Sequence, residues 1–417
     1  MAARSSRKLS SLLSLTVCGA SLLWQSAALA QVAGLPAPAS ATGPNALVLG
    51  DFRVTSQAQA GLTHSSNIRL DASEQADNKA VVSLGGNAES TWQRHHLAAS
   101  VSAFAQDVQE RRHDDLDNET LSGSLQGRFE LGGGAIVRGA LQRQQSLIGK
   151  NHVDQLNGLL HGTSTTDLGS YGLEWDSPRW FLSATGQQAR MHNESDVATA
   201  GKAEVQALDR TERQATLQVG RHLSQGNVYG FVGTQAIDYD AAPGLALQER
   251  DSRGWRAGAG SQFRFGKWQG ALSAIRFTQN FDGAAIRDQH AVVGTLQLNY
   301  PLRDTLTLSS LLQRSFAETS IDGIAGIYTR TLFLGLVQSF SPQWYVKAGP
   351  AWHRDQLASS SMATRRTSWE AQTVWQWHPR AALVLDLSWT RQRASDARLL
   401  AQQFKETSAS LSLQLRY

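Results

Sequence analysis

The fold class this sequence predicts is all-β: a transmembrane antiparallel up-and-down β-barrel of about 18 strands. Three observations predict it. Apolar and polar residues alternate with a period of two along most of the chain. Tight turns and long polar connections follow one another in strict rotation. Aromatic rings gather beside the tight turns.

The chain opens differently. Arg4, Arg7 and Lys8 precede an apolar run from Leu9 to Trp24, and Ala28-Leu29-Ala30 offers a small-residue cleavage site before Gln31. Residues 1–30 therefore read as a secretory signal peptide. Val17 is too bulky for the slot before a lipidated cysteine, so Cys18 does not mark a lipoprotein. Cys18 is the only cysteine, so a processed chain has no disulfide, thiolate nucleophile or cysteine metal ligand. Processing also removes three basic residues and takes the formal charge from +4 to about +1. The apparent basicity thus belongs partly to the leader. No basic cluster interleaves with aromatics, and nucleic acid is not an expected partner.

Residues 31–50, "QVAGLPAPASATGPNALVLG", are small, Pro-containing and almost uncharged. They read as a periplasmic lead-in linker. From Asp51 to Tyr417 the period is two. In "TLSGSLQGRFEL" Leu121, Gly123, Leu125, Gly127, Phe129 and Leu131 share one face, against Ser122, Ser124, Gln126, Arg128 and Glu130. "TSWEAQTVWQW" and "ALVLDLSWT" repeat the pattern at 367–377 and 382–390. Such segments fall near 51–63, 79–93, 96–109, 119–132, 135–147, 164–176, 179–191, 207–223, 227–239, 250–265, 267–281, 288–300, 304–319, 327–340, 343–355, 363–377, 381–394 and 404–417. No stretch after residue 30 reaches the ~18 apolar residues of a spanning helix.

The connections sort the sandwich from the barrel. Arg94-His95, Gly132 to Gly134, Ser177-Pro178, Ser224 to Gly226, Gly266, Pro301 to Arg303, Ser341-Pro342 and His378 to Arg380 are tight turns. Long polar stretches such as "HSSNIRLDASEQADN" and "HNESDVATAGKAEVQ" fall between them. A bacterial outer-membrane barrel needs this rotation, with short turns at the periplasmic rim and long loops outside. The sheet must close, because hydrocarbon leaves no partner for an unpaired backbone group. Trp92, Trp175, Trp180, Trp268, Trp344 and Trp377 sit close to short turns, with Phe265, Tyr300 and Phe340, as in an interfacial girdle. Trp344 and Trp352 lie eight residues apart on one segment, roughly 20 Å in depth at ~3.3 Å per residue and ~40° of tilt.

The final segment, "LSLQLRY", puts Leu411, Leu413, Leu415 and Tyr417 on one face. It is expected to pair with the first strand, to present Leu411, Leu413 and Leu415 to lipid and to set Tyr417 at the inner rim. The polar face of the barrel becomes the candidate lumen wall: Gln126, Arg128, Arg138, Gln142, Arg256, Gln262, Arg264, Arg366, Glu370 and Gln372. Amide and guanidinium groups there suit hydroxyl-rich or acidic solutes.

"DFRVTSQAQAGLTHSSNIRL", followed by "STWQRHHLAASVSAFAQDVQERRHDDLDNETLSGSLQGRFEL", resembles the putative beta-barrel porin 2 family. Asn67, Ile68, Trp92, Arg94 and His95 carry the likeness. The resemblance implies an outer-membrane barrel of the kind associated with exopolysaccharide or capsule export, and no catalytic motif comes with it. It also implies that Leu411, Leu413, Leu415 and Tyr417 form the signal read by the barrel assembly machinery. Partners expected on this reading are outer-membrane lipid and lipopolysaccharide, that machinery, and periplasmic or inner-membrane polysaccharide export proteins.

No enzyme, cofactor or metal is expected. There is no H-E-x-x-H, G-x-S-x-G or Walker-type loop. His113-Asp114-Asp115 reads as a solvated loop tip or a divalent-ion site near anionic lipopolysaccharide, and His152, His161 and His192 lack a tight ligand spacing. Three functions stay open: a conduit for exported polysaccharide, a general diffusion porin for small hydrophilic solutes, and a surface barrel acting as enzyme or adhesin through its loops. In the first, loops 148–163 and 191–206 are long enough to fold inward as a constriction.

Overall fold

The computed structural model describes residues 47–70, 74–109, 117–147, 163–194, 209–240, 250–283, 286–319, 324–396, 399 and 403–417. The proposed leader and most of the lead-in lie outside the described residues, as do His113, Asp114, Asp115, His152 and His161.

In chain order the strands are β1 (Leu47–Leu49), β2 (Phe52–Ser65), β3 (Asp77–Ser90), β4 (His95–Val108), β5 (Asn118–Gly132), β6 (Ala135–Leu147), β7 (Thr163–Asp176), β8 (Trp180–Glu194), β9 (Arg210–Leu223) and β10 (Gly226–Tyr239). They continue as β11 (Ser252–Phe265), β12 (Trp268–Phe281), β13 (Gln289–Arg303), β14 (Leu306–Glu318), β15 (Gly326–Ser341), β16 (Trp344–Leu357), β17 (Ala363–His378), β18 (Ala381–Ala394) and β19 (Phe404–Arg416). From β2 onward each strand pairs antiparallel with the next, and β19 returns to β2. The result is a closed barrel of 18 strands with one extra strand, β1, on the end of β2. Residues 47–49 read as lead-in because three residues are too few to show a period. Their partner strand makes them a strand.

Closure is regular. Leu411 faces Leu62, Leu413 faces Ala60 and Leu415 faces Ala58. At the rim the Ser56 and Tyr417 peptides exchange two N–H···O bonds, each 2.8 Å. Every short turn lies on the rim that also carries the ends of β2 and β19, which follows from the even strand count. Four register shifts fall beside those turns, at Glu130/Gly132, Pro301/Arg303, Ser339/Ser341 and Trp375/His378. Pro301 sits in one of them, where its missing N–H costs no ladder bond. Pro350 is less well placed. The β15–β16 ladder skips from Phe333↔Ala351 to Leu336↔Ala348, leaving a gap at Gly349-Pro350.

Which face meets lipid is decided by burial. Leu121, Leu125, Phe129 and Leu131 are exposed together on β5, Leu332, Leu334 and Leu336 on β15, and Trp369, Trp375 and Trp377 on β17. An exposed apolar band around the whole circumference belongs in hydrocarbon. The residues between them in sequence point inward. Near the short turns, aromatic neighbours pack together: Trp268 with Tyr300 at 4.6 Å and Phe340 with Trp344 at 4.5 Å between ring centroids. Trp344 Nε1 also donates to Thr373 Oγ1 (3.0 Å), which ties the ring to the next strand. Trp352, Trp369 and Trp389, all exposed, mark the opposite side of the band.

The β5–β6 turn depends on glycine. Gly132, Gly133 and Gly134 have φ of 98°, 58° and 84°, and a Cβ on Gly134 would strike the Asp176 carbonyl oxygen. Gly134→Ala is therefore expected to destabilise the barrel by about 1–3 kcal/mol. Urea titration followed by the gel-mobility difference between folded and unfolded barrel measures it. Gly50→Ala, at φ 58° with open space around it, pays the backbone cost alone and should lose less.

Candidate functional site

The ten predicted wall residues all lie on the inward face, but they do not form one cluster. On the β5–β7 side, Arg128 Nη1 meets Glu130 Oε1 at 2.7 Å and Arg138 Nη2 meets Glu174 Oε2 at 2.9 Å. Arg128 and Arg138 stand directly opposite each other, so each is held by its own carboxylate. Gln126 stands opposite Ala98 and Ala140, and Gln142 Nε2 donates to Gln144 Oε1 (3.4 Å).

A second group lines β8 to β11. The Gln187 and Gln214 amides meet at 2.7 Å, Arg210 Nε donates to Glu212 Oε1 at 2.8 Å, and Arg256 Nη2 donates to Thr216 Oγ1 at 2.8 Å. Asn227 Nδ2 reaches Gln262 Oε1 at 3.4 Å. Arg264 lies near the short-turn rim, opposite Gln269. Tyr229 and Phe231 also face inward here, seated over Gly260 and Gly258. Alternation does not single out either ring, because they follow Val228 in one continuous apolar run.

The third group joins β16 to β2. Lys347, Gln372 and Asp386 occupy one register row, and Gln372 Nε2 donates to Asp386 Oδ1 at 2.8 Å. One row outward, Glu370 stands opposite Ser388, whose hydroxyl meets that of Ser408 at 2.7 Å. Arg366 pairs in register with His353 and Gln392. Across the closing strands Gln59 Nε2 donates to Ser412 Oγ at 3.1 Å, and Gln414 Nε2 reaches Gln59 Oε1 at 3.5 Å. Hydroxyls, amides and charged groups thus continue around the wall.

The outer mouth holds a feature that alternation did not reveal. The β13–β14 ladder ends at Gly294↔Arg314. The β12–β13 ladder runs on to Gln279↔Gln289, and β14–β15 runs on to Glu318↔Gly326. Above Arg314, β14 leaves its neighbour and slides inside it. Phe316 stacks on the inward ring of Phe277 (5.0 Å) and meets Tyr328 (5.0 Å). Tyr328 OH donates to Gln289 Oε1 at 3.2 Å. Ser252 Oγ, from β11, donates to Glu318 Oε1 at 2.6 Å and accepts from Gln279 Nε2 at 2.8 Å. Arg250 Nη2 caps the arrangement on the Ile324 carbonyl at 2.9 Å. The wall overlaps itself here, and an inward-leaning β14–β15 hairpin narrows the mouth. Ile286, Ala325 and Ala358 form an apolar core beside it.

Loops 148–163 and 191–206, expected to supply a constriction, lie mainly outside the described residues. His192, at the outer end of β8, is held between Asp209 Oδ2 (2.7 Å) and Glu194 Oε1 (3.4 Å). Leu411, Leu413, Leu415 and Tyr417 all lie exposed on the lipid face, and the Tyr417 ring lies 4.8 Å under the Arg380 guanidinium.

A closed antiparallel barrel with an apolar exterior and a polar interior defines an outer-membrane β-barrel channel. The family described as Putative beta-barrel porin 2 matches residues 39–417, and the chain belongs to it. Among curated proteins, none is significantly similar in sequence. The fold is similar to that of the outer-membrane protein OpdK of Pseudomonas aeruginosa, at 12% identity and a TM-score of 0.51, over 87% of this chain and 99% of that one. OccK2 (OpdF) of the same organism gives 13% identity, a TM-score of 0.50 and coverage of 88% and 98%. The FrpB iron transporter of Neisseria meningitidis gives 10% identity and a TM-score of 0.46, and this chain spans 62% of its length.

Proposed function

We propose that the lumen is a conduit for an exported exopolysaccharide or capsule chain. The observation that supports this most is the wall itself. Side chains such as Gln59, Ser412, Gln187, Gln214, Gln372 and Ser388 offer hydrogen bonds at successive strands, and Arg128, Arg138 and Arg210 are each held by a carboxylate. A hydroxyl-rich polymer can exchange one such contact for the next without being trapped, because each is weak. No bond chemistry is involved, so the reading is of a channel and not of an enzyme. The driving force comes from inner-membrane or periplasmic export partners or from synthesis, and insertion relies on the barrel assembly machinery.

A deletion strain carrying the chain with Gln59→Leu, Gln372→Leu and Gln414→Leu is the test. Surface polysaccharide should fall at least about threefold relative to the wild-type chain, at equal amounts of folded barrel. Unchanged polysaccharide in the clean deletion itself would end the proposal.

The narrowed mouth favours a second reading, a diffusion porin for small hydrophilic solutes. OpdK, similar only in fold, has been solved with vanillate, and a lumen bearing Arg256, Arg264 and Lys347 suits small carboxylates. Liposome swelling with neutral sugars and with monocarboxylates separates the two. Rapid permeation of either supports the porin reading.

A further inference from the structure

The outward face carries a row of arginines that the lumen does not explain. Arg314 stands directly opposite Arg330, Arg330 opposite Arg354, Arg354 opposite Arg365, and Arg365 opposite Arg393. Five arginines thus share one register row across five adjacent strands, β14 to β18, which climbs roughly 12 Å from end to end at ~40° of strand tilt. Adjacent strands lie ~4.8 Å apart, so the row is roughly 20 Å long. Like charges directly opposite each other destabilise a sheet. Among the described residues none of the five has a carboxylate partner. The Arg314 guanidinium turns onto the Tyr328 ring at 5.2 Å, which packs inside the overlap, and Arg330, Arg354, Arg365 and Arg393 are the members left to the outward face. Arg354 Nε is shielded from solvent and has no hydrogen-bond acceptor.

The opposite flank of the barrel shows what a self-sufficient surface looks like. There the outward arginines are paired: Arg143 with Asp167 at 3.6 Å, Arg190 with Asp240 at 4.0 Å and Arg213 with Asp238 at 2.5 Å. The same residue type occurs on both flanks near the long-loop rim, and only one flank supplies its own anions.

Depth identifies the missing anion. On β16, ten residues separate the inner-girdle Trp344 from Arg354, roughly 25 Å along the membrane normal at ~3.3 Å per residue and ~40° of tilt. That is the full height of the apolar band. Trp352, one outward position below Arg354, and Trp369 and Trp389, two below Arg365 and Arg393, mark the upper edge of that band. Arg354 therefore lies at the headgroup layer of the outer leaflet, and the tilted row crosses that layer. Guanidinium groups bind phosphate through charge-assisted and often bidentate hydrogen bonds.

We infer that Arg330, Arg354, Arg365 and Arg393 of this row bind the phosphate groups of an outer-leaflet glycolipid of the lipid A type, on one flank of the barrel only. Bound lipid then supplies the negative charge that the sheet omits, and it covers the level at which β14 parts from β13.

The test uses the full folded barrel in detergent, titrated with bis-phosphorylated lipid A and followed by native mass spectrometry. Combining Arg330→Gln, Arg354→Gln, Arg365→Gln and Arg393→Gln should weaken binding at least about tenfold. Arg354→Gln with Arg365→Gln should give an intermediate loss, which keeps the test informative if the fourfold variant folds poorly. Arg143→Gln with Arg213→Gln should stay within about twofold of wild type. Unchanged affinity in the paired variant, or equal affinity for dephosphorylated lipid A, overturns the assignment. So does displacement of lipid A by inorganic phosphate at similar concentrations, which would show a simple anion site.

Discussion

Phe316→Ala combined with Tyr328→Ala raises the single-channel conductance of the barrel in planar bilayers by at least about twofold. The overlap at the outer mouth rests on few contacts: the Phe277–Phe316–Tyr328 rings, the Tyr328 to Gln289 bond and the Ser252 to Glu318 bond. Truncating a buried Phe costs about 3–5 kcal/mol, and these rings are half-buried, so roughly half of that is at stake. Even ~2 kcal/mol shifts a two-state equilibrium by more than tenfold. The β14–β15 hairpin would then lean back to the wall and widen the mouth. Leu336→Ala, which faces lipid on the same hairpin, is the control and should leave conductance unchanged. Equal conductance in all three proteins would show that the hairpin does not limit the pore.

The second large effect concerns the lipid face. Leu387 and Ser388 are neighbours near the middle of β18, one exposed to lipid and one paired with Ser408 inside. Leu387→Arg places a guanidinium close to the bilayer midplane and is expected to cost about 2–4 kcal/mol. Ser388→Arg puts the same group into the lumen and loses one hydroxyl contact, about 1 kcal/mol. Denaturant midpoints in lipid vesicles measure both, and an equal loss would mean that the two faces have been exchanged.

Alternation carried the fold because lipid and water impose opposite demands on consecutive residues. Almost every strand was legible in this way, and the position of the short turns followed. The same signal misplaces Phe316 and Tyr328. By parity with Leu312 and Leu332 both read as lipid-facing, yet they pack inside the barrel, because β14 crosses behind β13. Parity describes a residue relative to its own strand, and it is silent on where that strand runs. The wall residues were legible one by one. Their partners were not: Gln59 and Ser412 lie 353 residues apart, and only the closing register brings them together. The arginine row was hidden for the same reason, since its five members lie on five strands and no local pattern links them. On β15 both faces are partly apolar, with Phe333 and Val337 buried on the inner side, so composition alone said little about its polarity.

The overlap between β13 and β14 changes what opening the barrel would require. In a seamless cylinder the perimeter is fixed by its ladder, and enlarging it means unzipping strands. Here the outer third is rolled like a scroll, with spare circumference tucked behind its own edge. Its aperture can grow by uncoiling, at the expense of a few ring contacts and two or three polar bonds, while every rung of the backbone ladder stays intact.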